Sequence, residues 1–198
     1  MPSPSRYAAV VVGVSSGGIQ ALRMLLSGLP ADFEVPLIVV LHTASDNGVG
    51  LCGVLQAFSA LPVVEAEMGQ QPQPATVYLA PPGYHLLIER DGRFSLSVDD
   101  KVCYVRPSAD VLFESAADAW GERLVGLVLT GANDDGALGL RALRDAGGYA
   151  IVQAPGDAQM PTMPEAALRV AGADQVSPLA HIAAQLRELI HAGLPAGP

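Results

Sequence analysis

One lysine, Lys101, stands in the whole chain, and acidic side chains outnumber Lys plus Arg by 20 to 11, for a formal charge of −9. No basic stripe is available to neutralise phosphates, which excludes nucleic acid as the expected partner and argues against anionic membrane surfaces. Cysteine is almost as scarce. Cys52 and Cys103 lie far apart with no C-x-x-C spacing, so neither a metal site nor redox chemistry is expected. No apolar run is long enough to cross a bilayer, and Met1-Pro2-Ser3-Pro4-Ser5-Arg6 lacks the layout of a signal peptide. A soluble cytoplasmic protein is the expectation. Aromatics make up only 5% of residues, against 50% hydrophobic overall, so the core must be built from Val, Leu, Ile and Ala. That composition suits a parallel sheet covered by helices. The length predicts a single domain over residues 1–198, with flexible tails at 1–6 and 193–198.

What is present begins with Tyr7 to Gly18, reading Y-A-A-V-V-V-G-V-S-S-G-G. A buried strand, a tight turn and a helix from Ile19 to Leu26 are predicted. Three readings compete for the turn. Gly13, Ser15 and Gly18 fall on the glycine positions of G-x-G-x-x-G, but Ser15 replaces the middle glycine that lets a backbone approach a pyrophosphate. Gly13-Val14-Ser15-Ser16-Gly17 meets G-x-S-x-G, in which a strand-to-helix turn lifts a serine hydroxyl above the sheet. Alternatively, Ser15 or Ser16 simply caps the helix.

Further along, Pro36 to His42 reads as a second buried strand, 43–48 as a loop, Leu51 to Phe58 as a helix, and Pro62 to Glu65 as a strand nearer an edge. Thr76–Ala80, His85–Glu89 and Phe94–Val98 read as an antiparallel excursion at one edge of the sheet, with a hairpin turn over Glu89 to Arg93. Ser108 is the expected N-cap of a helix through Val111 and Ala119. Leu124–Leu129 is another buried strand, 130–136 its polar exit loop, and Ala137–Ala146 a helix. Gly148–Gln153 is the last clear strand, before short helices at Glu165–Val170 and Ile182–Ala192. The alternation predicts a doubly wound α/β fold with a mainly parallel sheet.

In such a sheet, ligands bind beyond the C-terminal ends of the strands, at the switch point. Ser15, His42, and either Asp134 or Asp135 fall on that rim, and they are the parts of a nucleophile, base and orienting acid. A lone histidine is more often structural, and Asn133-Asp134-Asp135-Gly136 also reads as a turn with an N-cap. The joint placement lifts a hydrolase above a phosphate loop, since a dinucleotide site wants an acid where His42 stands. By spacing His85 faces either cleft or solvent, His181 and His191 read as surface residues, and Arg106 as an ion-pair or substrate residue. Asp99-Asp100 is a solvated turn and the fallback orienting acid.

The segment Val12-Gly13-Val14-Ser15-Ser16-Gly17-Gly18 resembles the G-A-S-T-G-G nucleophile motif of chemotaxis protein-glutamate methylesterases, the CheB catalytic domain. The similarity continues through His42, Tyr78-Leu79-Ala80-Pro81, the run Arg106-Pro107-Ser108-Ala109-Asp110-Val111-Leu112-Phe113, Leu129-Thr130-Gly131 through Asp135-Gly136-Ala137, and Met163-Pro164-Glu165-Ala166-Ala167. It covers about residues 7 to 190 in order. The resemblance implies Ser15 as nucleophile, His42 as general base and Asp135 as the acid that orients it. It also implies an oxyanion site near the backbone N–H groups of Ser16 and Ala132. The implied activity is hydrolysis of glutamyl methyl esters on methyl-accepting chemoreceptors, with deamidation of receptor glutamines at the same site and no metal or organic cofactor. Ser16 stands where threonine is usual, Thr43 where methionine is common, and Ala132-Asn133 where the family has Met-Gly. The family's receiver domain has no counterpart ahead of the first strand, so phosphorylation control within this chain is not expected. The rival readings are a catalytically silent receptor-binding module of the same fold and, more weakly, a nucleotide-binding protein.

Overall fold

All six residues of Ala9–Val14 (β1) are buried, and so are all five of Leu37–Leu41 (β2) and of Leu124–Val128 (β7). A strand buried on both faces must lie inside a sheet covered on both sides, and β-branched residues suit that setting. The computed structural model describes residues 5–42 and 50–192. The expected loop at 43–48, Thr43 and the expected C-terminal tail lie outside the described residues.

Val63–Glu65 (β3), Val77–Leu79 (β4), Tyr149–Gln153 (β8) and Gln175–Ser177 (β9) complete a seven-stranded sheet of order β3-β4-β2-β1-β7-β8-β9. Every neighbouring pair is parallel, with Val14 opposite Leu41 and Gly13 opposite Val128. The chain lays β2, β3 and β4 on one side of β1, with β4 returning between β2 and the edge strand β3, then restarts at β7 on the other side. The reversal between β1 and β7 places the site.

One face of β1, through Val10, Val12 and Val14, packs on Leu22, Leu25 and Leu26 of Gly18–Ser27 (α1) and on Ile182 and Leu186 of Leu179–Ala192 (α6). Leu51–Gln56 (α2) adds Leu55 to this layer. The opposite face, through Ala9 and Val11, meets Ala109–Trp120 (α3), Ala137–Asp145 (α4) and Thr162–Val170 (α5), with Leu112, Phe113, Leu140 and Met163 in the core. Each fully buried leucine or phenylalanine contributes about 1.5–3 kcal/mol relative to exposure, so both layers are needed.

The middle of the chain differs from the expectation in one respect. Of the three segments read as an antiparallel excursion, the first, β4, is instead an interior strand of the parallel sheet, between β3 and β2. Its three residues Val-Tyr-Leu are all buried, which is what an interior strand requires. Only His85–Ile88 (β5) and Phe94–Ser97 (β6) pair antiparallel. They form a two-stranded sheet of their own instead of extending an edge of the large one. Leu86, Ile88 and Phe94 turn one face of this hairpin into the α3 layer. Strand β9, three residues with one exposed and one half-buried side chain, carries too little pattern to be read from sequence.

Candidate active site

The turn after β1 is built by Gly17, whose φ of 83° is the left-handed conformation that glycine adopts without steric cost. Gly17 is itself the N-cap of α1, with no side-chain cap. The reading of Ser15 or Ser16 as a helix cap is thereby corrected. The Ser15 N–H donates to Thr130 O at 3.0 Å, and its C=O accepts from the Gly18 N–H at 2.7 Å. The main chain of the turn is pinned while the half-buried Ser15 hydroxyl makes no hydrogen bond among the described residues. Close approach requires Gly131 beside it. A Cβ there would overlap the Met163 thioether and come within 3.0 Å of the Ser15 Cβ.

His42 directly follows β2, and its N–H donates to Val14 O at 3.1 Å, next to Ser15 on the same sheet edge. The His42 Nε2 lies 2.8 Å from Asp135 Oδ2. Of the two adjacent aspartates, Asp135 is the buried one, 1% exposed, while Asp134 is exposed. Asp135 also accepts from Ser108 Oγ at 2.6 Å, from the Ala109 N–H at 2.6 Å and from the Asp110 N–H at 3.1 Å. The carboxylate therefore sits on the N-terminus of α3, where free N–H groups and the helix dipole favour an anion. Burial pushes this carboxyl up, but the hydrogen bonds from His42, Ser108 and Ala109 and the nearness of His42 outweigh it and hold it below the ordinary carboxylate range. With Asp135 ionised, the proton between the two belongs on Nε2, which leaves the Nδ1 lone pair facing away from Asp135. Asn133 Nδ2 stands 3.4 Å from that nitrogen.

Ser16 is exposed, and its carbonyl accepts from Thr130 Oγ1 at 2.9 Å. Ala132 is exposed at the exit of β7. The intervening Gly131 N–H is used by Met160 O at 3.0 Å. No backbone acceptor takes the Ser16 or Ala132 N–H among the described residues, so both are available at the rim.

Other residues singled out above fall elsewhere. His85 faces neither cleft nor solvent. It is 1% exposed, with Nε2 3.0 Å from Asp100 O. Arg106 forms no ion pair among the described residues and instead donates through Nη1 to Val98 O at 2.7 Å and Asp99 O at 2.8 Å, closing the loop between β6 and α3. Asp99 bonds Ser97 at 2.6 Å and stays exposed. His181 and His191 are exposed, and His191 pairs with Glu34 at 2.9 Å.

Cys103, Asp110 and Asp135 bring one ligand-type atom each within 4.8 Å of one another. They fit a cation poorly. Both Asp135 oxygens already accept two hydrogen bonds, and burial, reinforced by the charges of Asp134, Asp135 and Asp110, pushes the Cys103 thiol up to about 12. Sequence spacing left these neighbours unread, along with the second use of Ser108. Ser108 does cap α3, accepting from the Val111 N–H, as its position predicts. Its bond across 27 residues to Asp135 had no local signal.

The family model described as CheB methylesterase matches residues 10–186. A protein of Leptospira interrogans, whose name carries protein-glutamate methylesterase and protein-glutamine glutaminase, is 41% identical over 177 residues, covering 89% of this chain and 92% of its own. Protein-glutamate methylesterase/protein-glutamine glutaminase 5 of Myxococcus xanthus is 44% identical over 181 residues, and this chain spans about half of it, 52%. The crystal structure of the Thermotoga maritima CheB methylesterase catalytic domain superposes with a TM-score of 0.89 at 33% identity, covering 93% of this chain and 99% of that one. By the extent of the model match and the identity to near full-length relatives, this chain belongs to the CheB methylesterase family.

Proposed function

We propose that this protein is a serine hydrolase that removes methyl esters from glutamate side chains of methyl-accepting chemoreceptors, and deamidates receptor glutamines at the same site. The observation that carries this reading is the 2.8 Å bond between His42 and the buried Asp135, on the sheet edge where Ser15 follows β1. The names of the relatives support glutamate methyl esters and glutamines of a protein as the groups acted on, and the family resemblance supports a chemoreceptor as that protein.

On this reading Ser15 Oγ attacks the ester carbonyl carbon while His42 Nδ1 takes its proton. Asp135, accepting from Nε2–H, fixes the ring and stabilises the imidazolium. The oxyanion is met by the Ser16 and Ala132 N–H groups. Collapse expels the methoxy group, which leaves as methanol with the proton from His42. Water then attacks the acyl-enzyme, giving its proton to His42, and the glutamate carboxyl departs as Ser15 recovers its hydrogen. With a glutamine substrate the first leaving group is ammonia. On this reading the protein acts in the cytoplasm. No helix among the described residues is long and apolar enough to cross a membrane.

The test is to incubate the protein with methyl-labelled chemoreceptor and count released methanol. Release by the parent protein and its loss in Ser15→Ala are expected. Equal release by the two would remove Ser15 from the mechanism, and receptor binding without any turnover would identify the silent module instead.

A further inference from the structure

We propose that Asp110 is a positioning residue behind His42, a buried acid whose proton, held or lost, sets the charge that His42 faces through Asp135. The inference rests on the reading of His42 as the base.

Asp110 is the second residue of α3 and is 3% exposed. Its main-chain N–H donates to Asp135 Oδ1 at 3.1 Å, and its side-chain Oδ1 accepts from the Gly139 N–H at 2.6 Å. Its Oδ2 is buried and has no hydrogen-bond partner among the described residues. An oxygen of this carboxyl lies within 4.8 Å of one from Asp135. Two carboxyl groups that close, away from water, resist carrying two charges. The surroundings decide which of them ionises. Among the described residues Asp135 accepts four hydrogen bonds, one from the His42 ring, which can become a cation, whereas the Asp110 side chain accepts one, from the Gly139 N–H, with the Gly136 N–H as a further favourable neighbour. Asp135 takes the charge first, and Asp110 holds its proton to higher pH.

The groups facing Asp110 are few. Glu114 lies on its own helix, and Asp135 comes from the β7–α4 loop. Cys103 comes from the loop before α3, and the Gly136 and Gly139 N–H groups from the start of α4. No lysine or arginine bonds to either carboxyl among the described residues. Burial first, then the charges of Asp135 and Glu114, outweigh the two N–H groups and push the Asp110 carboxyl up to about 6. Asp110 is therefore neutral in mild acid and acquires a charge as pH rises towards neutrality. That second negative charge, one carboxyl removed from His42, favours the imidazolium and makes His42 a stronger base. A residue serving only to hold Gly139 would have no such effect, because asparagine supplies the same acceptor.

The experiment compares the parent protein with Asp110→Asn. The acid limb of the kcat/KM–pH profile for methanol release is expected to move to lower pH in the variant, by about half a unit to one unit. An unmoved limb in a folded variant overturns the proposal. Should Asp110→Asn fail to fold, infrared spectra of the parent protein decide. A protonated-carboxyl band that persists about a unit above the ordinary carboxylate range and is lost by about pH 8 is expected. Its absence overturns the proposal. The infrared readout needs no turnover. A protein that shows the band but no esterase activity would discard the function proposed above and leave the neutral Asp110 standing, whereas an active enzyme with an unmoved limb would discard only the role of Asp110.

Discussion

Asp135 and Ser15 stand on the same sheet edge and are held in opposite ways. Four donors converge on the Asp135 carboxylate, from His42, Ser108, Ala109 and Asp110, and it is buried. Ser15 is fixed only through its main chain, and its hydroxyl is bonded to nothing among the described residues. On the proposed mechanism, the contrast follows from what each atom must do. A charge taken out of water must be fully hydrogen-bonded or it neutralises, so an orienting carboxylate is also a structural centre. A nucleophile must exchange partners during turnover, and bonds that hold its hydroxyl in the resting state would have to be broken. Removing Ser15 should therefore cost activity without stability, and removing Asp135 should cost both.

The largest expected effect is on the Ser15 side. Ser15→Ala should lower methanol release by about 10⁴-fold or more, to what binding and the oxyanion site alone provide, while the melting temperature stays within about 2 °C of the parent. A large fall in melting temperature would break the comparison. Asp135→Ala comes next. It strands the Ser108 hydroxyl and the Ala109 and Asp110 N–H groups in the interior, each at about 1–3 kcal/mol. A total loss of about 3–5 kcal/mol, read as a drop of about 10 °C or more by calorimetry, should accompany the loss of activity.

The same contrast explains which parts of the site could be read from the sequence. Ser15 and His42 are legible because each closes a run of buried strand residues, and a polar residue at such a boundary stands out against Val-Val-Gly-Val or Leu-Ile-Val-Val-Leu. Spacing alone left Asp134 and Asp135 as equals, since neighbours in a loop differ only in where the tertiary structure turns them. The family motif pointed to Asp135, and it is Asp135 that bonds His42. Ser108 was legible as a cap from its place before an apolar helix. Its second bond, like the burial of Asp110 and His85, depends on how α3 meets the β7–α4 loop and the hairpin, and no local pattern encodes that. The strands divide in the same way. Long, fully apolar β1, β2 and β7 announce themselves. Three-residue β4 and β9 are too short for a pattern to declare their partners, so β4 reads as antiparallel by spacing although it lies inside the parallel sheet, and β9 carries no readable signal.

The pH dependence of stability sharpens the comparison on the acid side. Asp135 has a depressed carboxyl, so the stability it contributes is present above its unfolded value of about 4 and is lost as pH falls through its folded value. Asp110 has the opposite sign. Its carboxyl is raised to about 6, so its contribution is present below about pH 4 and is lost as pH rises through 6. Denaturant titrations from pH 4 to pH 7 should show the parent losing at most about 2–3 kcal/mol relative to Asp110→Asn across that window. Equal slopes would mean that the two acids are not distinguished as their hydrogen bonds suggest. Ser108→Ala is smaller, about 1–2 kcal/mol, since it removes one donor to Asp135 and the cap of α3 but leaves three donors in place. Chemical denaturation would measure it.

The smallest expected effect lies between the two regions. Asn133 Nδ2 stands 3.4 Å from His42 Nδ1, the nitrogen that must accept the Ser15 proton if Nε2–H serves Asp135. At that length the contact is weak, but it occupies the lone pair that the Ser15 hydroxyl would use. Asn133 also accepts from the Asp135 N–H at 3.3 Å, so it bridges the fixed acid and the free side of the ring. If the amide mainly competes with Ser15, Asn133→Gly should raise kcat/KM by about twofold, the worth of a fraction of one neutral hydrogen bond. Should kcat/KM instead fall tenfold, Asn133 would belong with the donors and acceptors that hold His42 in place. The ordered half of the site would then reach one residue closer to Ser15 than the hydrogen bonds to Asp135 indicate.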